Sequence, residues 1–185
     1  MNQSVNQSMT NPDQLLQQAE LIYSAEAVNA SIQKVAKDVR AALAGTEPLV
    51  LCVMGGAVFF AGQLLPLLDF PLEFDYVQAS RYHTGTSGQH LVWKVAPGEN
   101  VAGRTVLLLD DILDEGHTLV AVREKCLAAG AAQVVVAVLT EKELGREKPI
   151  EADFVGLRLP DRYVFGCGMD VHGWWRNLPA IYALR

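Results

Sequence analysis

The chain has 185 residues, a mass of 20.2 kDa and a formal net charge of −6. Its length fits one domain, and its 50% hydrophobic and 19% charged residues exclude an intrinsically disordered or collagen-like chain. Its acidity argues against a nucleic-acid partner, since a duplex-binding surface is normally basic.

The N-terminal segment, residues 1–19, is biased toward Gln and Asn, and we expect it to be flexible and to precede one domain over residues 20–185. It has no basic stretch followed by an apolar run, so we expect no secretory signal. The three cysteines are odd in number and set among apolar neighbours; they are Cys52, Cys126 and Cys167. Such cysteines predict reduced core residues and a cytoplasmic protein.

From Ser24 onward the chain alternates between helical and strand patterns. Apolar residues from Val28 to Leu43 recur at the spacing of an amphipathic helix, which Ser24 would cap and Gly45 would end. Four apolar runs then predict strands over residues 49–54, 72–79, 106–109 and 134–139, and helical patterns follow the first and third runs over residues 56–67 and 118–129. This order predicts an α/β fold with a parallel twisted sheet flanked by helices.

One of these regions also has the length of a membrane-spanning helix. Residues 49–68 contain no charge over 20 positions. Gly55 and Gly56 interrupt the segment, and Pro66 would end a helix early. The pattern therefore favours a strand, a tight turn and a short helix inside a core, with no membrane partner.

Two regions lack a long helical pattern. Residues 80–89, SRYHTGTSGQ, predict a loop or hairpin tip before a short strand over residues 91–95. From Asp153 the chain is dense in aromatic residues, glycine and proline. These last residues predict short strands and loops packed beside the main sheet.

The sharpest functional signal is the segment VLLLDDILDEGHTL, residues 106–119. A buried strand ends there in acidic residues, and ligands of α/β sheets bind outside the carboxyl ends of the strands. Gly116, His117 and Thr118 begin the next helix, whose first backbone N–H groups can bind phosphate.

Four acids lie in this segment, Asp110, Asp111, Asp114 and Glu115, and capping the next helix needs only one of them. Glu115 alone is as well explained by capping as by function. Acids beside an anion site predict a ligand with hydroxyls or a divalent cation at one end and phosphate at the other. A ribose 5-phosphate has this form.

The segment resembles the phosphoribosyl-pyrophosphate motif of the type I phosphoribosyltransferases, in which an apolar run and two acids precede an Asp-x-Gly-x-Thr loop. More of the chain is similar to the hypoxanthine-guanine phosphoribosyltransferase family, over roughly residues 20–184. Residues 49–60 resemble its first strand and pyrophosphate loop, and residues 160–170 with Trp174-Trp175-Arg176 resemble its hood. The resemblance implies a small hood built mainly from residues 153–185.

The resemblance also implies an activity. The family transfers the 5-phosphoribosyl group from phosphoribosyl pyrophosphate to hypoxanthine or guanine, giving IMP or GMP and pyrophosphate, with Mg²⁺ as cofactor. Asp114 would be the general acid/base at purine N7. Asp110 and Asp111 would bind the ribose hydroxyls and Mg²⁺, Asp170 would serve a second metal site, and the loop from Asp114 to Thr118 would hold the 5-phosphate.

The resemblance also implies contacts with the purine, which enters the reaction, and with pyrophosphate, which leaves it. The purine would contact Lys142 through its 6-oxo group, Tyr163 by stacking, Val164 through backbone groups and Asp170 near its 2-position. Pyrophosphate would contact Gly55, Gly56 and Arg176, beneath a lid that includes Ser80, Arg81 and Tyr82. A lysine donor suits a 6-oxo purine and predicts rejection of adenine, whose 6-amino group is also a donor.

Several of these residues have plainer interpretations. Lys142 could be a solvated lysine in the charged stretch TEKELGREK, and Tyr163 could be a core residue. Arg176 could pack on a tryptophan, and Gly55 with Gly56 could form a simple turn. None of the four histidines has metal-ligand spacing, so no metal role is assigned to them.

Two positions depart from the family pattern. Glu115 stands where many relatives have Thr, and we expect its side chain to point away from the phosphate with only its backbone N–H in the site. Met54 stands where many relatives have Lys before the paired glycines, so Arg81 or Arg176 would supply pyrophosphate contacts.

Two other functions are compatible with part of the sequence. A sensor of phosphoribosyl pyrophosphate without turnover would be expected to add a basic surface or another domain. A magnesium phosphohydrolase with Asp110 or Asp114 as phosphoryl acceptor leaves Lys142, Tyr163 and Arg176 unexplained. The resemblance further predicts a homodimer or homotetramer, and the choice among hypoxanthine, guanine and xanthine stays open.

Overall fold

The computed structural model describes residues 11–82 and 90–185. Its helices are α1 (Pro12–Gln18), α2 (Ala25–Leu43), α3 (Val58–Leu64) and α4 (His117–Ala128), with 3-10 turns at Leu65–Leu67 and Glu99–Val101. Its strands are β1 (Glu20–Tyr23), β2 (Leu49–Met54), β3 (Glu73–Tyr82), β4 (His90–Val95), β5 (Thr105–Leu113), β6 (Gln133–Glu143), β7 (Phe154–Pro160), β8 (Val164–Phe165) and β9 (Ile181–Ala183).

The main sheet has six strands in the order β4-β3-β2-β5-β6-β7. All neighbours run parallel except β3 and β4, which form an antiparallel edge. The central strands β2 and β5 carry uninterrupted apolar runs, which suit strands that are covered on both faces. The predicted α/β fold, a parallel sheet flanked by helices, is confirmed.

Helix α2 illustrates how the apolar pattern sets the layers. The Ser24 Oγ accepts a hydrogen bond from the backbone N–H of Ala27 at 3.3 Å, which caps the helix as predicted. The buried face includes Val28, Ile32 and Leu43 and packs against the sheet and α3. Burial of this stripe, rather than helix propensity alone, stabilises the helix.

The charge-free stretch at residues 49–68 forms β2, a turn, α3 and a 3-10 turn, as the glycines and Pro66 predicted. Among the described residues, no helix is both long enough and apolar enough to cross a bilayer. All three cysteines are buried and unpaired. Burial raises the pKa of the Cys52 and Cys167 thiols to about 12 and that of Cys126 to about 11, so these thiols stay protonated.

Strands β5 and β3 continue further than predicted, because pairing with a neighbouring strand extends each into polar sequence. Strand β5 continues to Leu113 opposite Glu141, so Asp110 and Asp111 belong to the strand rather than to a loop. Strand β3 continues to Tyr82, which pairs with His90, so residues 80–82 are not a loop. The expectation that all residues from Asp153 onward pack beside the main sheet was also wrong, because β7 pairs with β6 and is the edge strand of that sheet.

A second sheet forms the hood, with three antiparallel strands in the order β1-β9-β8. Its first strand comes from the N-terminal part of the chain, which the sequence did not predict. Part of the segment expected to be flexible is the helix α1, where the Asn11 side chain accepts from Asp13 N at 2.9 Å. The Trp175 indole N–H donates to the Pro12 carbonyl at 2.8 Å and joins α1 to the hood. Residues 1–10 lie outside the described residues, and the boundary at residue 19 stays a prediction.

Candidate active site

The carboxyl end of β5 carries two nearly buried acids. Asp110 and Asp111 are 8% and 7% exposed. The Asp110 Oδ1 accepts a hydrogen bond from Asp111 N at 2.9 Å, and the fully buried Thr140 Oγ1 donates to the Asp111 carbonyl at 2.8 Å. These bonds fix the backbone of the acidic pair. Thr140 was missed by the sequence analysis, because its partner lies on another strand.

Burial raises the pKa of Asp111 above its usual range. A hydrogen bond with Asp110, the positive charge of Arg176 and backbone hydrogen bonds oppose this shift without cancelling it. The protein without a ligand therefore holds a carboxyl group whose ionised form is poorly solvated. A cation or a set of hydroxyl donors at this site would favour ionisation.

We expect Asp111→Asn to stabilise the protein in the absence of divalent metal. Because the folded state binds this proton more tightly than the unfolded chain, ionisation of Asp111 destabilises the fold as pH rises above about 3.9 through the raised pKa. The variant should therefore have a higher Tm than wild type at pH 7.5, and this gain should disappear below the usual Asp pKa of about 3.9, where Asp111 is protonated in both states. Thermal unfolding in EDTA measures this difference, and a variant less stable than wild type at pH 7.5 would contradict it.

The start of α4 supplies an anion site next to the acids. Gly116 is the N-cap residue with φ +85° and no side-chain cap, so the first helical N–H groups are not satisfied by a capping side chain. A Cβ at Gly116 would lie 2.9 Å from Ile150 Cγ2, which explains why glycine occupies this turn. The N-terminal end of the helix dipole adds a positive potential. Thr118 lines the adjoining cavity.

Glu115 lies between the acids and this helix, and its side chain pairs with a cation outside the two cavities described below. Its Oε1 accepts a hydrogen bond from Arg146 at 2.8 Å. Arg146 belongs to the connection between β6 and β7. The pairing draws the carboxylate of Glu115 toward that connection, which reduces its repulsion of a phosphate at the helix.

Two cavities adjoin at this edge of the sheet. The first, about 270 Å³, is lined by residues that include Gly55, Gly56, Asp110, Asp111, Thr118 and Arg176. The second, about 240 Å³, is lined by residues that include Asp111, Asp114, Lys142, Tyr163, Val164 and Asp170. Asp111, Ile112, Asp114 and Arg176 line both cavities. The structure therefore brings most of the predicted sugar-phosphate residues and the predicted purine residues to adjoining cavities. The side chains of two predicted phosphate residues, Glu115 and His117, line neither cavity.

Two residues that line the second cavity, Lys142 and Asp114, form an ion pair. The Lys142 Nζ lies 3.0 Å from Asp114 Oδ2, and only 13% of the lysine side chain is exposed. Lys142 is the next-to-last residue of β6, so strand position places it beside Asp114 at the end of β5. Tyr163 is 52% exposed at the cavity, which is inconsistent with the plainer interpretation of a core residue.

The hood faces the same cavities through Arg176. Its guanidinium donates to the Gly168 carbonyl at 2.6 Å and to Asp170 Oδ1. Asp170 Oδ2 also accepts from Gly173 N at 2.7 Å. Arg176 therefore orders the hood turn while lining the site, rather than simply packing on a tryptophan.

The acidic side chains at this end of the sheet could hold a metal ion through two carboxylates at most. Among the described residues, no three His, Cys, Asp or Glu side chains cluster closely enough to hold a metal ion. Asp170 is engaged with Arg176 and Gly173. Asp110 and Asp111 are two adjacent carboxylates, which fit Mg²⁺ because this ion usually takes one or two carboxylates and completes its shell with substrate oxygens and water.

Two glycines allow the hood and the turn after β2 to approach Asp111. A Cβ at Gly56 would overlap the Asp111 carboxylate, and a Cβ at Gly168 would overlap the Gly56 carbonyl. Gly168 also has φ +104°, a conformation that L side chains rarely adopt. The alternation of glycine in Gly166-Cys167-Gly168 is a sequence signal for this contact, which was not predicted.

The predicted lid residues, Ser80, Arg81 and Tyr82, are described only by their backbone. The backbone of Ser80, Arg81 and Tyr82 forms the end of β3 in register with β4. Their side chains and residues 83–89 lie outside the described residues. The role of these three residues stays a prediction.

Comparison with known proteins identifies similar chains. The family model of the phosphoribosyl transferase domain matches residues 18–172. The hypoxanthine-guanine phosphoribosyltransferase of Streptococcus thermophilus is 33% identical over 167 residues, covering 89% of this chain and 92% of the relative. The hypoxanthine-guanine-xanthine phosphoribosyltransferase of Tritrichomonas foetus is 32% identical over 166 residues, covering 89% of this chain and 91% of the relative.

Solved structures show the same similarity in three dimensions. A hypoxanthine phosphoribosyltransferase from Staphylococcus aureus superposes with a TM-score of 0.84 at 25% identity, covering 95% of this chain and 98% of that one. A hypoxanthine-guanine-xanthine phosphoribosyltransferase superposes with a TM-score of 0.76 at 30% identity, covering 90% of this chain and 96% of that one. The similarity includes both the main sheet and most of the chain outside it.

Proposed function

The chain belongs to the hypoxanthine-guanine phosphoribosyltransferase family, and from that premise we propose that it transfers the 5-phosphoribosyl group of phosphoribosyl pyrophosphate to hypoxanthine or guanine. The products are IMP or GMP and pyrophosphate. The observation that carries this proposal is the adjoining pair of cavities, one with acids beside a helix N-terminus and one with a lysine–aspartate pair.

The first cavity suits the activated sugar. Asp110 and Asp111 accept hydrogen bonds from the ribose hydroxyls, and the N–H groups from Gly116 to Thr118 bind the 5-phosphate. The family is associated with divalent metals, and we assign Mg²⁺ to Asp110 and Asp111. When bound, Mg²⁺ supplies positive charge that neutralises the pyrophosphate oxygens.

The second cavity suits a 6-oxo purine. The 6-oxo group and N7 are neighbours on one edge of guanine. In the tautomer of the free base that carries a proton on N7, the 6-oxo oxygen accepts and N7–H donates. Lys142 donates to the 6-oxo group, and Asp114 accepts the proton from N7 of the attacking base. Because these two side chains already lie 3.0 Å apart, a single purine edge can contact both. Tyr163 stacks on the ring, Val164 offers backbone groups, and Asp170 lies toward the 2-position.

The reaction forms a bond from purine N9 to C1 of the ribose while the bond from C1 to pyrophosphate breaks. Positive charge develops on the sugar, and the carboxylates of Asp110 and Asp111 stabilise it electrostatically. The backbone of Gly55 and Gly56 approaches the departing pyrophosphate, with Arg176 as a permanently charged donor. We assign to Ser80, Arg81 and Tyr82 the exclusion of water over the closed site.

We also propose a homodimer or homotetramer in the cytoplasm. Exposed apolar side chains on β3 and β4, namely Phe74, Tyr76 and Val92, support association through this edge. The three unpaired buried cysteines support a reducing compartment.

The test is an assay of the protein with Mg²⁺, phosphoribosyl pyrophosphate and one purine at a time. Hypoxanthine or guanine should give the nucleoside monophosphate and pyrophosphate. Adenine should react at least about 10²-fold more slowly, because its 6-amino donor would face the Lys142 donor. No nucleotide with any base would contradict the proposal and favour a sensor, whereas release of inorganic phosphate would favour a phosphohydrolase.

A further inference from the structure

The connection between β6 and β7, residues 144–153, contacts the segment that joins β5 to α4, residues 114–116, and the end of β5. We call this connection the β6–β7 loop. Arg146 binds Glu115 at 2.8 Å, and Ile150 lies against the backbone of Gly116. Lys148 binds the carbonyl of Leu113 at 3.1 Å. The loop thus contacts the residues immediately before and after Asp114, and these contacts were not predicted from the sequence.

Lys148 is the innermost cation of this loop, with 9% of its side chain exposed. Its Nζ donates to the Lys142 carbonyl at 2.6 Å and to the Leu113 carbonyl at 3.1 Å, and it pairs with Glu141 Oε1 at 3.3 Å. An ammonium group has three donors, so these contacts use all of them. The charge is stabilised well enough to tolerate burial because each donor has an oxygen partner.

These contacts join β5 and β6 at the point where their pairing ends. The last residue pair of the two strands is Leu113 with Glu141. The next residues along each strand are Asp114 and Lys142, whose side chains form the ion pair in the purine cavity. Lys148 bridges the Leu113 carbonyl on one strand and the Lys142 carbonyl on the other.

We infer that Lys148 is a positioning residue whose ammonium sets the separation of Asp114 and Lys142 and hence their fit to the purine edge. This inference rests on the proposed function. Without the bridge, two carbonyls lose a charged donor and the ends of β5 and β6 can separate. A displacement of about 1 Å at a reacting group can cost about 10²-fold in rate. Lys148 lines neither cavity, and the phosphate loop is held separately by Arg146 on Glu115 and by Ile150 against Gly116. The affinity for the sugar substrate should therefore change much less than that for the purine.

The test compares Lys148→Met, which keeps length without charge, with Lys148→Arg, which restores a cation. For Lys148→Met we expect KM for hypoxanthine to rise about 10-fold and kcat to fall about 10-fold, while KM for phosphoribosyl pyrophosphate changes less than about twofold. Lys148→Arg should recover part of the hypoxanthine effect. Lys34→Met is the matched control, since Lys34 is an exposed lysine paired with Asp38 at 3.2 Å.

Glu141→Gln gives a second approach if Lys148→Met does not fold, because it removes the negative charge that pairs with Lys148 while keeping the lysine. Arg158→Met, which removes the other ion pair of Glu141, is its control. A smaller rise in KM for hypoxanthine, again without a change for the sugar substrate, would support the inference. Equal effects on both substrates, or wild-type kinetics in every variant, would overturn it. A wild-type protein that forms no IMP would instead overturn the proposed function, so the two failures are distinguishable.

Discussion

Replacing Asp114 by Asn lowers kcat by about 10²-fold or more, because the amide cannot accept the N7 proton of the attacking purine. The substitution keeps the shape of the side chain and leaves the backbone N–H groups of the phosphate loop in place. Affinity for phosphoribosyl pyrophosphate should therefore stay within about threefold of wild type. Steady-state kinetics with hypoxanthine and calorimetric titration with the sugar substrate measure the two effects separately.

The control for Asp114→Asn is Asp69→Asn, which removes a carboxylate that pairs with Arg40 on the surface. This control should retain wild-type turnover. Unchanged turnover in Asp114→Asn would remove Asp114 from the acid/base role. Loss of sugar binding together with turnover would instead make Asp114 a residue of the phosphate site.

The second large effect is expected for Gly168→Ala, which places a methyl group against the Gly56 carbonyl. The variant also strains the backbone, since Gly168 has φ +104°. Backbone strain and steric overlap together should lower the free energy of unfolding by more than about 3 kcal/mol. The added methyl group should displace Gly56 and Asp111, because Asp111 lies close to both glycines. Binding of phosphoribosyl pyrophosphate should therefore weaken as well.

Gly173→Ala separates strain from overlap in this experiment. Gly173 has φ +86°, but a Cβ there would meet nothing within 4 Å. The Gly173→Ala variant should lose only about 1–2 kcal/mol of unfolding free energy and should keep wild-type affinity for the sugar substrate. Thermal unfolding and calorimetry compare the two variants, and equal losses in both would show that the contact between Gly168 and Gly56 is unimportant.

Local patterns were sufficient to predict the central strands and the long helix. Residues 49–54 were predicted as a strand and form β2 with these bounds, because an apolar run between turn signals has few other stable arrangements. Ser24 caps α2 for the same local reason. Both features depend on neighbours in sequence, which a single chain displays directly.

Other features depend on partners that are distant in sequence. Asp110 and Asp111 have no strand pattern, and only pairing with β6 extends β5 through them. Residues 20–23 form a hood strand only because residues 181–183 lie beside them. Such pairings are fixed by the whole fold, so the amino-acid pattern near either segment does not reveal them.

The candidate site shows the same division. The acidic motif was visible because Asp110, Asp111 and Asp114 follow one another in sequence. The support of that motif by Thr140 and Lys148, and the close approach of Gly168, required the strands and the hood to be in place. The chemistry of the site was therefore easier to predict than the contacts that hold it in position.

The most direct test of the central claim is calorimetric titration of the wild-type protein with phosphoribosyl pyrophosphate in the presence of Mg²⁺ and without purine. If the acids at the end of β5 and the start of α4 form one sugar-phosphate site, the titration should show saturable binding with one molecule per chain. The Asp111→Asn variant should bind at least about 10-fold more weakly, because it loses a charged acceptor. Absence of binding by the wild-type protein, or equal binding by the variant, would contradict the account.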